Sequence, residues 1–177
     1  QHEADVVLPK VLDAAGIEKA LFMGHSDGGT IALMYASKNP GRTIGCIVEA
    51  PHVKVEEVTV KGIRRAGRAF SSGDLKRGLA KYHADPDGIF NRWYQTWTHP
   101  NFAAWNMLNR LPHIACPVLG IQGKEDQYGS FSQLTTIRDS IAGQAMMQGL
   151  KNCGHTPHGE RPELVIDSIM KFLPICR

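Results

Sequence analysis

The sequence predicts an α/β fold: a parallel sheet of about four strands with flanking helices and a helical insertion. Three observations predict it. Four short apolar runs, 17–23, 43–49, 116–123 and 144–150, have strand length and are bounded by Gly, Pro or charged clusters. Helical patterns follow or separate them, which is the strand–helix–strand rhythm of a parallel sheet. Between the second and third runs that rhythm gives way to charged helical patterns carrying all three tryptophans, Trp93, Trp97 and Trp105.

The elements follow in order. Val7, Leu8, Val11, Leu12 and Ala15 share one helical face, and Gly16 stops that helix. The first strand, 17–23, leads into Gly24-His25-Ser26-Asp27-Gly28 and then a helix over 29–36, which Asn39-Pro40-Gly41 ends. The second strand, 43–49, is closed by Ala50-Pro51-His52. Helical patterns then cover 58–70, 73–82, 86–97 and 102–111, with no strand pattern of good quality among them. After the third strand comes the loop Lys124-Glu125-Asp126-Gln127-Tyr128-Gly129, a helix over 131–141 and the fourth strand. The loop Asn152-Cys153-Gly154-His155-Thr156-Pro157-His158 precedes a closing helix over 163–173, with Pro162 in its first turn. The expected organisation is a core over 1–52, a helical insertion over 53–112 and the rest of the core over 113–177.

Composition narrows the function classes. A chain of 177 residues can bury a sizeable core, and its net charge of +3 is small. The nearest thing to a basic patch, Arg64, Arg65, Arg68, Lys76, Arg77 and Lys81, alternates with apolar residues and reads as a solvated helix face. No nucleic-acid partner is expected, and no apolar run is long enough to span a bilayer, so no membrane partner is expected either. Cys46, Cys116, Cys153 and Cys176 match no Cys-x-x-Cys metal pattern, and the apolar setting of Cys46 suggests a reduced core thiol. The expected location is cytoplasmic.

The loops at the carboxyl ends of parallel strands converge on one edge of the sheet. Here they carry Ser26, Asp126 and His155. A hydroxyl is a poor nucleophile until a base takes its proton. Imidazole is the usual base near neutral pH, and a carboxylate holds its tautomer. Strand, Gly-x-Ser-x-Gly, helix is the setting of a nucleophile elbow, in which a tight turn lifts the serine clear of the sheet. Both flanking glycines, Gly24 and Gly28, are expected to make room for that turn. Glu125 rivals Asp126 as the acid and His158 rivals His155 as the base; position after the strand favours Asp126 and His155. The backbone N–H of Asp27 is the expected oxyanion donor, and His25, Trp93 and Trp97 are the candidate substrate contacts, alongside the Asp27 side chain.

Gly24-His25-Ser26-Asp27-Gly28-Gly29, Gln122-Gly123-Lys124-Glu125-Asp126 and Gly154-His155-Thr156-Pro157-His158 together resemble the α/β-hydrolase superfamily, in the order Ser, Asp, His. The resemblance runs from about Val7 to the C-terminus. It implies a partial α/β-hydrolase fold, in which 53–112 corresponds to the cap that this family inserts. It also implies further strands ahead of Val7, one of whose loops would carry a second oxyanion donor. This sequence does not carry them, so the expectation is a C-terminal portion whose first strand is left as an open edge that invites self-association. Ser26-Asp27-Gly28-Gly29 is similar to valacyclovir hydrolase-like (biphenyl hydrolase-like) enzymes, in which the aspartate after the nucleophile meets a substrate amino group.

The function expected from these residues is serine hydrolysis of a small-molecule carboxylic ester or related acyl bond, with no cofactor and no metal. Two other readings use the same sequence. One is a C–C bond hydrolase with the same three side chains. The other is a catalytically impaired fragment that binds a ligand or partner.

Overall fold

A computed structural model of the chain describes residues 1–176. One compact unit comprises residues 1–54 and 107–176 of these. Its sheet has four parallel strands in the order β1 (Ala20–His25), β2 (Thr43–Glu49), β3 (Val118–Gly123), β4 (Ala145–Leu150). The chain thus has the α/β architecture of a partial α/β-hydrolase fold, with helices on both faces of the sheet.

Alternation along each strand decides which helix each side chain meets. Cys46 and Val48 of β2 pair with Val118 and Gly120 of β3, so these four share one face. That face is covered by α2 (Asp27–Lys38) and α6 (Ser132–Ser140): Tyr35 of α2 packs on Phe22 at 4.8 Å between ring centroids, and Leu134 of α6 lies over Gly120. The opposite face presents Ile47, Leu119, Ile121 and Leu150 to α8 (Pro162–Phe172), where Val165 and Phe172 complete a buried cluster. β2 and β3 are buried along nearly their whole length because both faces are covered, which is why they read as continuous apolar runs. β1 lies at one edge of the sheet and is only half-buried, with Met23 exposed.

Two sequence expectations shift. The first strand was expected over 17–23, but β1 begins at Ala20. Gly16 has φ +67°, and the N–H of Ile17 turns back to the carbonyl of Leu12, so 17–19 belong to the helix exit. A helix was expected over 102–111, but this stretch forms two separate short turns, Pro100–Phe102 and Leu108–His113. Met107 N–H donates instead to the carbonyl of Val53 at 2.8 Å, and Pro112 has no N–H to continue a helix.

The second compact unit, Val55–Asn106, holds α3 (Glu57–Ser71), α4 (Asp74–Leu79) and α5 (Pro86–Thr98). Phe70 stacks on Phe90 at 3.9 Å, and Trp97 packs edge-on against Phe102 and Trp105 at 5.1 and 6.3 Å. Asp85 caps α5 by accepting from the N–H of Gly88.

Within the first unit, a helical turn over Glu3–Val7 runs into α1 (Leu8–Ala14) and is tied down through Asp5. The two terminal nitrogens of the Arg110 guanidinium, Nη1 and Nη2, donate to Asp5 at 2.8 and 2.7 Å, with Lys38 3.5 Å away. This fork holds the Asp5 carboxyl down to about 2, below the ordinary 3.8. A folded-state value below the unfolded one means the pair stabilises above pH 3.8 and is lost as pH falls toward 2. Asp5→Asn should therefore lower the melting temperature by about 2–4 °C at pH 7, as expected for a partly exposed pair worth about 1 kcal/mol. Melts at pH 7 and pH 3 check this: the gap between mutant and wild type should narrow at the lower pH.

Candidate active site

The turn between β1 and α2 puts Ser26 at φ +54° and ψ −122°, a conformation that L side chains rarely adopt. A side chain at Gly24 would collide with the backbone of Gly28, so that position must be glycine. The expectation that Gly28 also makes room is corrected: a Cβ there would meet open space. The second tight position is Gly29, whose Cβ would lie 3.0 Å from the carbonyl of Gly24. Ser26 N–H donates to the carbonyl of Glu49 at the end of β2, at 2.8 Å, which fixes the turn to the sheet. Asp27 is the first residue of α2, where backbone N–H groups precede the first helical hydrogen bond and the helix dipole is positive.

The side chains of Ser26, His155 and Asp126 form one chain of hydrogen bonds. His155 Nδ1 lies 3.0 and 2.9 Å from the two Asp126 oxygens, and His155 Nε2 lies 3.0 Å from Ser26 Oγ. A carboxylate only accepts, so Nδ1–H donates to Asp126 and Nε2 is left to accept from the Ser26 hydroxyl. The Asp126 side chain is fully buried, and that of His155 is 13% exposed. Asp126 also accepts from the N–H groups of Tyr128 and Gly129 at 2.7 and 3.3 Å and from the side-chain amide of Gln122. These donors meet the hydrogen-bonding demand of a carboxyl group buried at this depth.

The loop that carries His155 is held by carboxylates. Glu125 accepts from the N–H of Cys153 at 2.9 Å. Glu160 accepts from those of Gly154 and Thr156 at 2.7 and 3.1 Å. Glu49 accepts from that of His158 at 2.9 Å. The two N–H donors hold the Glu160 carboxyl below its ordinary range. Gly123, the last residue of β3, runs so close to Cys153 and Gly154 that a side chain there would collide with their carbonyls. The rivals named from sequence thus sit elsewhere: Glu125 holds loop backbone, and His158 Nδ1 faces Glu49 Oε2 at 3.1 Å.

Further imidazoles flank His155. His25 Nε2 donates to the carbonyl of His155 at 2.7 Å, and its ring lies 4.9 Å from that of His155. His52 Nε2 donates to the carbonyl of Tyr128 at 3.0 Å, and its ring lies 6.0 Å from that of His155. Burial pushes both His25 and His52 below the ordinary 6.5, so these rings stay neutral at pH 7. The Tyr128 ring meets that of His155 edge-on at 4.7 Å. Asp27 is exposed, and its charge is felt by His52. Trp93 and Trp97 lie on α5 in the second unit, and Trp97 is buried among Phe102 and Trp105. Among the described residues no group of three His, Cys, Asp or Glu side chains could hold a metal ion, and no helix is long and apolar enough to cross a membrane.

Sequence reasoning passed over Glu49, Gln122 and Glu160. One signal for Glu49 was present: a lone carboxylate ending an otherwise apolar strand, at the carboxyl edge where ligands bind in such sheets.

The alpha/beta hydrolase family profile matches residues 2–168. The 2-succinyl-6-hydroxy-2,4-cyclohexadiene-1-carboxylate synthase of Enterobacter sp. (strain 638) is 25% identical over 162 residues, which is 91% of this chain and 58% of that protein. The chain therefore spans rather more than half the length of this curated relative. Among solved structures, a membrane phospholipase A, a novel bacterial virulence factor, superposes with a TM-score of 0.79 at 21% identity, covering 99% of this chain and 63% of that one. The enol-lactonase from Burkholderia xenovorans LB400 superposes with a TM-score of 0.67 at 20% identity, covering 95% and 70%. At these identities the structural likeness speaks for the fold alone.

Asp126 and Glu125 are adjacent but touch different atoms of the histidine loop, so their amide variants should differ. Asp126→Asn puts an amide NH2 donor and no charge beside His155 Nδ1, which lets the imidazole take the wrong tautomer, and should lower kcat/KM on an activated ester by about 10⁴-fold. Glu125→Gln keeps an acceptor for Cys153 N–H and should cost less than about tenfold. Steady-state kinetics on p-nitrophenyl butyrate rank the two, and the reverse ranking would move the acid to Glu125.

Proposed function

We propose that this chain, which belongs to the alpha/beta hydrolase family, is a serine hydrolase of small-molecule carboxylic esters or related acyl compounds. The observation that carries the reading is the continuous hydrogen-bond chain from Asp126 through His155 to Ser26 Oγ. In the proposed reaction His155 Nε2 takes the Ser26 proton as Oγ bonds to the acyl carbon. The N–H of Asp27, at the positive end of α2, stabilises the oxyanion that forms. The tetrahedral intermediate then collapses: the bond to the leaving oxygen breaks, and His155 returns the proton to that oxygen. Water repeats the sequence on the acyl-enzyme, with His155 as base and Ser26 as leaving group. Asp126 stays ionised throughout and holds the imidazole in its working tautomer. The chemistry calls for no cofactor and no metal, and a reducing, cytoplasmic setting suits four free thiols.

An active-site-directed fluorophosphonate tests the reading. The probe should label the wild type at Ser26, and Ser26→Ala should lose both labelling and turnover of p-nitrophenyl butyrate while keeping its melting temperature within about 2 °C. A folded wild type that resists the probe would favour a binding module instead. Ordinary ester turnover by Ser26→Ala would remove the serine from its role.

The substrate preference is also open to test. A nearness to valacyclovir hydrolase-like enzymes is part of this proposal and is carried by Asp27, whose exposed carboxylate follows the nucleophile directly. A charge pair with the ammonium of an α-amino ester would contribute about 1.5–3 kcal/mol, or roughly tenfold to a hundredfold over a matched neutral ester. Asp27→Ala should erase that preference and spare the neutral ester, because the backbone N–H remains. The measurement is the ratio of kcat/KM for a paired amino and des-amino ester in wild type and mutant. A wild type without the preference returns Asp27 to complementing the helix dipole.

A further inference from the structure

We infer that Glu49 is a positioning residue that sets the distance between Ser26 and His155, holding the nucleophile's turn with its backbone and the base's loop with its side chain. Its carbonyl accepts from Ser26 N–H at 2.8 Å. Its carboxylate, 1% exposed, accepts from both His158 N–H at 2.9 Å and His158 Nδ1–H at 3.1 Å. A carboxylate at that depth is costly to bury, and the two His158 donors offset the cost only while the histidine loop stays against β2. The backbone around Glu49 is constrained as well. Ala50, next in the chain, has φ +47° and is pinned by a 2.8 Å hydrogen bond from its N–H to the carbonyl of Ile121. Glu49 therefore joins two rigid points, the strained turn at Ser26 and the helical turn that begins at Pro157.

His25 closes the ring on the other side. It is the residue that pairs with Glu49 across the β1–β2 ladder. Its Nε2–H donates to the carbonyl of His155, and its ring stands edge-on to that of His158 at 5.1 Å. The base is thus tethered at its own carbonyl through β1 and three residues later through β2, and both tethers meet at the Ser26 turn. If Glu49 lets go, the loop keeps its bonds to Glu125, Glu160 and His25 but loses the Glu49 bonds to β2, the strand that holds the nucleophile's turn. A displacement of about 1 Å in such a pair can cost on the order of a hundredfold in rate.

This inference rests on the hydrolase reading, and the test separates the two. Rates of fluorophosphonate labelling at Ser26, and kcat and KM for p-nitrophenyl butyrate, are measured on wild type, Glu49→Ala, Glu49→Gln and His158→Ala. Glu49→Ala should label and turn over about 10- to 100-fold more slowly, with KM changed less than about twofold. Glu49→Gln should recover most of the rate, because its amide oxygen still accepts from His158 N–H. His158→Ala, whose ring is half-exposed, keeps the backbone bond and should slow labelling several-fold with its melting temperature little changed. A purely structural Glu49 would lower the melting temperature and leave the rates of folded protein alone. A folded Glu49→Ala at wild-type rate overturns the inference and leaves the hydrolase reading standing. So does Glu49→Gln as slow as Glu49→Ala. Should Glu49→Ala fail to fold, a wild-type rate in His158→Ala overturns it. A wild type that never labels overturns the hydrolase reading, and this inference with it.

Discussion

The arrangement depends on one strained turn. Ser26 occupies a backbone conformation that costs on the order of 1–3 kcal/mol and persists only where its surroundings over-determine it. They do so here in three ways. Gly24 lets the incoming strand pass against the outgoing helix without a collision. The Ser26 N–H is bound to β2, so the turn cannot relax without breaking a sheet-edge hydrogen bond. Thr30, one turn into α2, donates its hydroxyl to the carbonyl of His52, which fixes the helix start to the segment after β2. The strain points Oγ away from the sheet and toward His155, at a helix start where charge developing on a substrate oxygen would be stabilised.

The same solution recurs along the carboxyl edge of the sheet. The described non-glycine residues with positive φ are Ser26, Ala50 and Asn152, and each directly follows a strand or lies just past one, β1, β2 and β4 respectively. Strand β3 ends instead in Gly123, where close packing against Cys153 and Gly154 excludes a side chain. A parallel sheet forces every strand to leave on the same edge, so the exits compete for space there. Unfavourable turns after β1 and β4, and the close pass at Gly123 after β3, are how this chain brings a hydroxyl, an imidazole and a carboxylate from three different exits within hydrogen-bond reach.

The architecture was readable because buried parallel strands leave an unambiguous trace. Thr43–Glu49 is apolar on both faces and bounded by Pro40-Gly41 and Pro51, and β2 has those bounds. Residues 102–111 misled because their apolar spacing suits a helix, while the bond from Met107 to Val53 comes from far along the chain and leaves no local mark. Gly28 misled for a related reason: a glycine inside a motif looks required, but only the close approach of another backbone makes it so, and that approach falls on Gly29. At the site, spacing after each strand pointed to Ser26, Asp126 and His155 as side chains on neighbouring loops. Their partners left less of a mark, Glu49 only as a lone carboxylate ending an apolar strand. Glu49, Gln122 and Glu160 act through bonds to backbone N–H groups or to another side chain, and no residue pattern encodes which carboxylate will meet which loop.

These partners also set the electrical character of the site. Asp126 lies against the imidazole of His155, and Glu49, Glu125 and Glu160 accept from backbone N–H groups of the loop that carries it. The neighbouring His25 and His52 could have added charge beside them. Burial prevents it, because each ring would lose more solvation on protonation than its surroundings return. Both use a ring N–H to bind a carbonyl, so they brace the loops at His155 and Tyr128 as neutral donors. Carboxylates and neutral imidazoles therefore divide the work: the former accept from backbone N–H groups and the latter donate to backbone carbonyls, so the loops are held at both kinds of polar group.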